Sequence, residues 1–136
     1  MIFEKGALIG LNKREIGAAG ETAALNIYLK HGYCLLAKNW HYKRFGEIDL
    51  ILLGSDKSCP ESPDFIVFCE VKLRTENNVQ TPAEAVGIIK QNRIRKLAEI
   101  FIQENAQYEN YTVRFDIAEI YNDKSKFKVR ILTDAF

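Results

Sequence analysis

Two short segments combine strand-like apolar residues with charges that an interior strand does not normally carry. Asp49 lies inside the segment 46–53, and Glu70 and Lys72 lie inside the segment 64–74. Because side chains on a strand alternate between its two faces, Glu70 and Lys72 point the same way, and Asp49 joins them if the strands are neighbours. Charges among apolar side chains are costly unless they are paired or bind a metal. The pattern therefore raises the hypothesis of a divalent-metal phosphodiesterase.

The chemistry of such a site follows from the ligands. Mg²⁺ or Mn²⁺ prefers oxygen, and Asp49, Glu70 and the backbone carbonyl of Val71 offer three oxygen donors. A bound metal would lower the pKa of a water molecule, and Lys72 would orient or deprotonate that water or neutralise the transition state. The alternative interpretation is a Glu70–Lys72 ion pair at a strand end, with Asp49 in a turn.

Glu21 is a further candidate because it lies on an apolar helix face. At helical spacing it shares that face with small and apolar residues such as Gly17, Ala24 and Tyr28. A carboxylate there needs a partner. It is either a further metal ligand or support for the metal or its water, or it pairs with a lysine or arginine at the rim.

Three cations are candidates for holding a nucleic-acid backbone: Arg74, Lys90 and Arg93. Lys90 and Arg93 fall on the apolar stripe of a helix and are expected to reach the sheet face that carries Glu70. There an arginine fork can bind a phosphate. Snorkelling from the edge of the core is the alternative for the two helix residues. Arg114 and Asp116, in contrast, are expected to form structural ion pairs.

Aromatic residues alternate with cations between residues 40 and 45. Trp40, Tyr42 and Phe45 flank Lys43 and Arg44, a combination that stacks on the bases of a single strand in some proteins. Packing in the core of a hairpin is the favoured interpretation of these aromatics.

The chain as a whole predicts one α/β domain over residues 12–136, preceded by an N-terminal tail over residues 1–11. Apolar periodicity and capping signals predict the order αβββαββ, with a mixed five-stranded sheet. The last strand is expected at the sheet edge, protected by its alternating charges. The predicted helices span 12–30 and 81–104, and the predicted strands span 33–39, 46–53, 65–74, 112–121 and 127–131.

Composition bounds the environment and the partners. No apolar run approaches the ~20 residues that cross a bilayer, so no membrane association is expected. The three cysteines are widely spaced and fit neither a disulfide framework nor a zinc site, which favours the cytoplasm. The net charge of +1 gives no general support for nucleic-acid binding, so any such contact depends on local clusters.

An ordered series of motifs resembles the YraN-type family, a functionally uncharacterised bacterial family. That family is similar to archaeal Holliday junction resolvases within the PD-(D/E)xK nuclease superfamily. In chain order the motifs are Gly17-x-x-Gly20-Glu21-x-x-Ala24, Asn39, Gly46-Glu47-Ile48-Asp49-Leu50-Ile51, Phe68-Cys69-Glu70-Val71-Lys72-x-Arg74, Ala83 through Lys90, and Arg114-Phe115-Asp116.

The resemblance implies a restriction-endonuclease-like three-layer fold and a catalytic pattern that maps onto Glu21, Asp49, Glu70 and Lys72. The resulting expectation is a Mg²⁺- or Mn²⁺-dependent endonuclease that hydrolyses phosphodiester bonds of branched or structured DNA. A homodimer would suit such a substrate, because two strands must be cut. The alternatives are a non-catalytic nucleic-acid-binding module of the same fold and a protein-interaction subunit whose acidic cluster is structural.

Overall fold

A computed structural model of the chain describes residues 2–7, 12–55, 64–75, 86–123 and 126–136. Within these residues there are two α-helices, one 3₁₀ turn and six strands. The helices are α1 (Lys13–Lys30) and α2 (Ile88–Glu104), and the 3₁₀ turn spans Ala106–Tyr108. The strands are β1 (Ile2–Ala7), β2 (Cys34–His41), β3 (Glu47–Gly54), β4 (Phe65–Thr75), β5 (Thr112–Asp123) and β6 (Lys126–Leu132).

The strands form one mixed sheet in the order β1-β6-β5-β4-β3-β2. The central β4–β5 pair is parallel, and the other neighbouring pairs are antiparallel. The mixed α/β class and the five predicted strands are thereby confirmed, with bounds that shift by one or two residues. A parallel pair needs a crossover connection, and α2 lies in the segment that joins β4 to β5.

The N-terminal strand β1 was not predicted. Residues 1–11 were expected to form a tail, whereas Ile2–Ala7 pairs antiparallel with β6. The expectation that β6 forms the sheet edge is therefore wrong. An edge strand exposes a row of unpaired N–H and C=O groups, and β1 supplies partners for that row.

The two helices cover opposite faces of the sheet. Side chains of α1 pack with Val67 and Cys69, whereas Leu97 and Phe101 of α2 pack with Phe68. These strand residues alternate along β4, so the sheet is buried on both sides, as its continuous apolar sequence indicates.

Helix α1 begins with the predicted capping box. The Asn12 side chain accepts a hydrogen bond from Glu15 N–H at 2.9 Å, and the Glu15 carboxylate accepts from Asn12 N–H at 3.0 Å. The helix also lies close to the sheet, since a Cβ atom at Gly20 would overlap the side chain of Ile120. This close approach brings the neighbouring Glu21 towards the sheet.

Helix α2 begins later than predicted. Gly87 is its N-cap residue, with φ −59° and ψ 159°, so one continuous helix from residue 81 is wrong. The predicted start at residues 81–84 lies outside the described residues. No helix in the described part of the chain is long and apolar enough to cross a membrane.

Candidate metal centre

The candidate centre lies where β3 and β4 separate. The β3–β4 pairing ends at Leu50 and Cys69, although β3 stays paired with β2 as far as Glu47. Beyond this point the Asp49 carboxylate replaces the backbone ladder, and its Oδ2 atom accepts a hydrogen bond from Val71 N–H at 2.7 Å. The separation of the strands opens a cavity between them.

This cavity has a volume of about 490 Å³ and is lined by residues from both helices and both strands. The charged side chains that line it are Glu21, Glu47, Asp49, Glu70, Lys90 and Arg93. Five of the predicted side chains, Glu21, Asp49, Glu70, Lys90 and Arg93, are thus brought to one place, and with Glu47 the acids outnumber the cations there. Such an arrangement favours a bound cation.

Asp49 and Glu70 form a closely coupled pair of buried carboxyl groups. Their exposed fractions are 8% and 5%, and their side chains interact by a hydrogen bond. Burial, and then the charge of Asp49, raise the pKa of Glu70 to about 7, although Lys90 opposes the shift. Burial also raises the pKa of Asp49, against the lowering effect of the Val71 N–H. Two like charges at one desolvated site resist ionising together.

Lys90 and Arg93 reach this site from α2, as the helical stripe predicts. The Lys90 ammonium forms an ion pair with Glu70 Oε1 while its side chain stays 46% exposed. Arg93 packs its stem against Gly46, where a Cβ atom would lie 3.0 Å from Arg93 Cδ. Both cations therefore lie beside the carboxyl pair with access to solvent.

Glu21 lines the same cavity and is the charged residue that helix α1 contributes to the candidate centre. Burial, and then the charge of Asp49, raise its pKa, while Lys38 and a hydrogen bond with Asn39 act in the opposite direction. The carboxylate is therefore close to Asp49 and is held by residues of β2. Its role as a ligand or as support for the metal stays a prediction.

Sequence reasoning did not assign roles to Lys38, Asn39 and Glu47. Asn39 has a left-handed backbone with φ 50°, and its side chain bonds Glu21. The charge of Glu47 raises the pKa of both Asp49 and Glu21. Two features of the sequence could have indicated these roles. Glu47 is two residues from Asp49 on the same strand, and Asn39 is itself one of the motifs in the series that resembles the YraN-type family.

Lys72 is half-buried and is not among the described residues that line the cavity. Its backbone pairs with that of Glu119 in β5. The lysine that contacts Glu70 is instead Lys90, so the catalytic role of Lys72 stays a prediction.

Arg74 is placed differently from the prediction. It is 4% exposed and forms a buried ion pair with Glu119, itself 1% exposed. A guanidinium buried in this way has no surface for a nucleic-acid backbone, which contradicts the expected phosphate contact. The sequence could not show this, because Glu119 lies on another strand.

Other sequence interpretations are confirmed. Arg114 and Asp116 form an ion pair at 2.8 Å. Trp40 and Tyr42 pack against the core on the α2 side, with the Trp40 ring 5.3 Å from that of Phe101. Phe45 does not share this packing and is 47% exposed.

The donor set fits a hard divalent cation. Asp49 and Glu70 offer carboxylate oxygens, and the Val71 carbonyl belongs to the residue whose N–H holds Asp49. Among the described residues, no three His, Cys, Asp or Glu side chains form a metal-binding group by themselves. The candidate set is therefore two carboxylates, one backbone carbonyl and water, as Mg²⁺ commonly prefers.

The family model described as "Uncharacterised protein family UPF0102" matches residues 20–120. The chain belongs to the UPF0102 family. The matched span includes the charged residues that line the candidate centre: Glu21, Glu47, Asp49, Glu70, Lys90 and Arg93. Recognition of an uncharacterised bacterial family from the sequence is thereby confirmed.

Curated UPF0102 proteins are similar to this chain over most of its length. One from Acetivibrio thermocellus is 40% identical over 83% of this chain and 80% of its own. One from Caldanaerobacter subterraneus is 40% identical over 93% of this chain and 98% of its own. One from Caldicellulosiruptor bescii is 38% identical over 93% of this chain and 100% of its own.

Proposed function

We propose that this UPF0102 protein is a divalent-metal-dependent endonuclease that hydrolyses phosphodiester bonds in branched or structured DNA. The observation that carries the proposal is the coupled, buried Asp49–Glu70 pair beside Lys90 and Arg93 in an open cavity. A structural acidic residue is normally matched by its own donors. Here, among the residues that the structure describes, two carboxyl groups share one ammonium and one backbone N–H.

The fold is proposed to be of the restriction-endonuclease-like type. This is supported by a mixed sheet with helices on opposite faces and by acids placed where two neighbouring strands separate. The similarity inferred from the motif series points the same way, but a fold does not establish an activity, so the site has to be tested directly.

The residues divide the work by position. Asp49 and Glu70, with the Val71 carbonyl, would hold Mg²⁺ or Mn²⁺, which when bound lowers the pKa of water and neutralises phosphate charge. Val71 N–H fixes the orientation of Asp49. Lys90 neutralises Glu70 when no cation is present and is available to a phosphate when one is.

Arg93 is suited to bind the phosphodiester backbone. Its stem packs against Gly46 and the residue lines the cavity, so its guanidinium fork is within reach of a phosphate bound there. Glu21, bonded to Asn39, would support the cation or its water from α1. Lys72 keeps its proposed role in activating that water.

The decisive experiment is a cleavage assay on linear duplex, single-stranded, flap and four-way-junction DNA. Each substrate is incubated with Mg²⁺, with Mn²⁺ or with EDTA. We expect products that depend on the metal and that disappear in Glu70→Gln and Asp49→Asn, which keep the shape of each side chain. Glu99→Gln is the matched control, because this acid is exposed on α2 and forms an exposed ion pair with Lys96 at 3.4 Å.

The outcomes separate the possibilities. Equal cleavage by the wild type, Glu70→Gln and Asp49→Asn would reject the assigned centre. No cleavage of any substrate by a folded wild type would reject the endonuclease itself. Denaturation curves of each variant distinguish a lost site from a lost fold.

A non-catalytic nucleic-acid-binding module of the same fold is the second candidate. The ion pair between Lys90 and Glu70 favours it, because an ammonium already neutralises one of the two carboxylates. DNA binding that persists in EDTA and weakens with salt, without products, would support this function. A homodimer stays a prediction, and sedimentation in the presence of junction DNA would test it.

A further inference from the structure

The turn between β2 and β3, residues 42–46, exposes an aromatic ring among cations. Phe45 is 47% exposed, although its neighbours Trp40 and Tyr42 pack against the core. Lys43 and Arg44 precede it and are exposed as well. A large apolar ring in such a position gains little from burial, so core packing does not account for it.

Two backbone hydrogen bonds close this turn. Phe45 N–H donates to the Tyr42 carbonyl at 3.0 Å, and Tyr42 N–H donates to the Gly46 carbonyl at 3.3 Å. Gly46 has φ 143°, which favours glycine, and it packs against the Arg93 stem. The ring is thus presented on a turn that is fixed against α2.

The turn also borders the candidate centre. A second depression, of about 240 Å³, is lined by His41, Lys43 and Arg44. It shares the lining residues Gly46 and Glu47 with the acidic cavity, so the two depressions lie next to each other. A chain of phosphates that enters the acidic cavity would therefore pass next over a basic surface.

We infer that the turn 42–46 binds an unpaired nucleotide next to the phosphate held in the acidic cavity. Phe45 stacks on the base, and Lys43 and Arg44 contact its backbone. Base faces are accessible for such stacking in single strands and not within a duplex, so the substrate has a single-stranded segment beside the cleavage point. This inference rests on the proposed function and names its substrate class.

The test measures binding without cleavage. The labelled probes are an oligonucleotide as a single strand and the same sequence as a blunt duplex, in EDTA, followed by fluorescence anisotropy. We expect Phe45→Ala to weaken single-strand binding roughly 5- to 100-fold, which is the effect of removing one stacked base. Duplex binding should change less than about two-fold, since no base face is exposed there.

Two further variants distinguish aromatic stacking from general hydrophobic contact. Phe45→Leu should bind the single strand nearly as weakly as Phe45→Ala, whereas Phe45→Trp should bind it about as tightly as the wild type. Leu29→Ala is the control, because Leu29 is 46% exposed and lies on α1. A 2-aminopurine base in the probe should be quenched by the wild type and not by Phe45→Leu.

The inference is overturned if Phe45→Ala binds the single strand as well as the wild type, if Phe45→Leu retains full binding, or if the wild type binds no single strand. The inference is also overturned if Phe45→Ala weakens binding to another protein and leaves binding to nucleic acid unchanged. Failure of the proposed function is distinct: Phe45-dependent binding without metal-dependent cleavage keeps the inference and rejects the nuclease. Cleavage that depends on Glu70 but not on Phe45 keeps the nuclease and rejects the inference.

Discussion

Two regions of this protein bury aspartate side chains, and they treat the charge in opposite ways. Asp116 is fully buried and accepts hydrogen bonds from the Tyr28 hydroxyl at 2.7 Å, from two Arg114 nitrogens at 2.8 Å and from Asp134 N–H at 3.0 Å. Asp49 is nearly as buried, but it accepts one hydrogen bond from Val71 N–H, and its other described hydrogen-bond partner is a second acid, Glu70.

The difference separates a structural charge from a site that favours a ligand. Around Asp116, donors match acceptors, and the carboxylate in turn raises the pKa of Arg114 although burial alone would lower it. Around Asp49 and Glu70, burial and then neighbouring negative charge (Asp49 for Glu70, Glu47 for Asp49) raise the pKa of each carboxyl, although Val71 N–H and Lys90 act in the opposite direction. The first arrangement is complete without a partner, and the second becomes stable when a cation arrives.

The largest effect should come from Asp116. Asp116→Ala removes the acceptor of four hydrogen bonds and leaves the Arg114 charge without its partner, so the free energy of unfolding should fall by about 3–5 kcal/mol. Urea denaturation measures this change, with Glu99→Ala as an exposed control. A loss below about 1 kcal/mol would mean that the network is not the structural element the comparison requires.

The carboxyl pair should destabilise the fold when it is ionised, in contrast to Asp116, and this should appear in the pH dependence of stability. The pKa of Glu70 is 4.5 in its ordinary state and about 7 in the folded protein. The folded state therefore binds more protons than the unfolded state between these values, and stability falls as the pH rises from about 4.5 to about 7. The full loss is roughly 3 kcal/mol, complete above the folded pKa.

Glu70→Gln is the matched variant for this prediction, because an amide keeps the shape and does not ionise. In EDTA this variant should lose most of the fall in stability with pH. At about pH 8 its free energy of unfolding should be higher than that of the wild type by roughly 2–3 kcal/mol. Thermal or urea unfolding across the pH range measures both curves. Parallel curves for wild type and variant would show that Glu70 carries no unfavourable charge.

The parts of the fold that depend on local signals were predictable. The Asn12–Glu15 capping box and the alternation along β4 each lie within a few residues, and both were found in the structure. β1 was not predictable in this way, because its pairing with β6 joins residues from the two ends of the chain. The start of α2 also differed, since Gly87 interrupts the predicted helix.

The candidate site follows the same division. Alternation along β4 and neighbouring strands were enough to bring Asp49 and Glu70 together. Which lysine meets Glu70 depends on how α2 crosses the sheet, and no local pattern distinguishes Lys90 from Lys72. The burial of Arg74 depends on Glu119, which is 45 residues away along the chain.

Adding a cation should compensate the carboxyl pair and have no effect on the Asp116 network. At about ten times its dissociation constant, Mg²⁺ or Mn²⁺ should stabilise the wild type by about 1.4 kcal/mol. The midpoint of thermal unfolding should rise by roughly 3–6 °C at about pH 8. Glu70→Gln should show less than half of this rise, and an equal rise in both would place the cation elsewhere.

The smallest effect should come from Lys90, which neutralises Glu70 from a largely exposed position. Lys90→Met removes the ammonium and keeps the apolar stem, so it should change stability by no more than about 0.5–1 kcal/mol. It should also tighten Mn²⁺ binding roughly two- to five-fold, because one competing positive charge is lost. Titration calorimetry measures the affinity, with Lys96→Met as the control on the same helix, since Lys96 is exposed and pairs with the exposed Glu99. If Lys90→Met instead weakened Mn²⁺ binding, the ammonium would be supporting the carboxylates rather than standing in for a cation, and the acidic pair would resemble the Asp116 network more than the comparison allows.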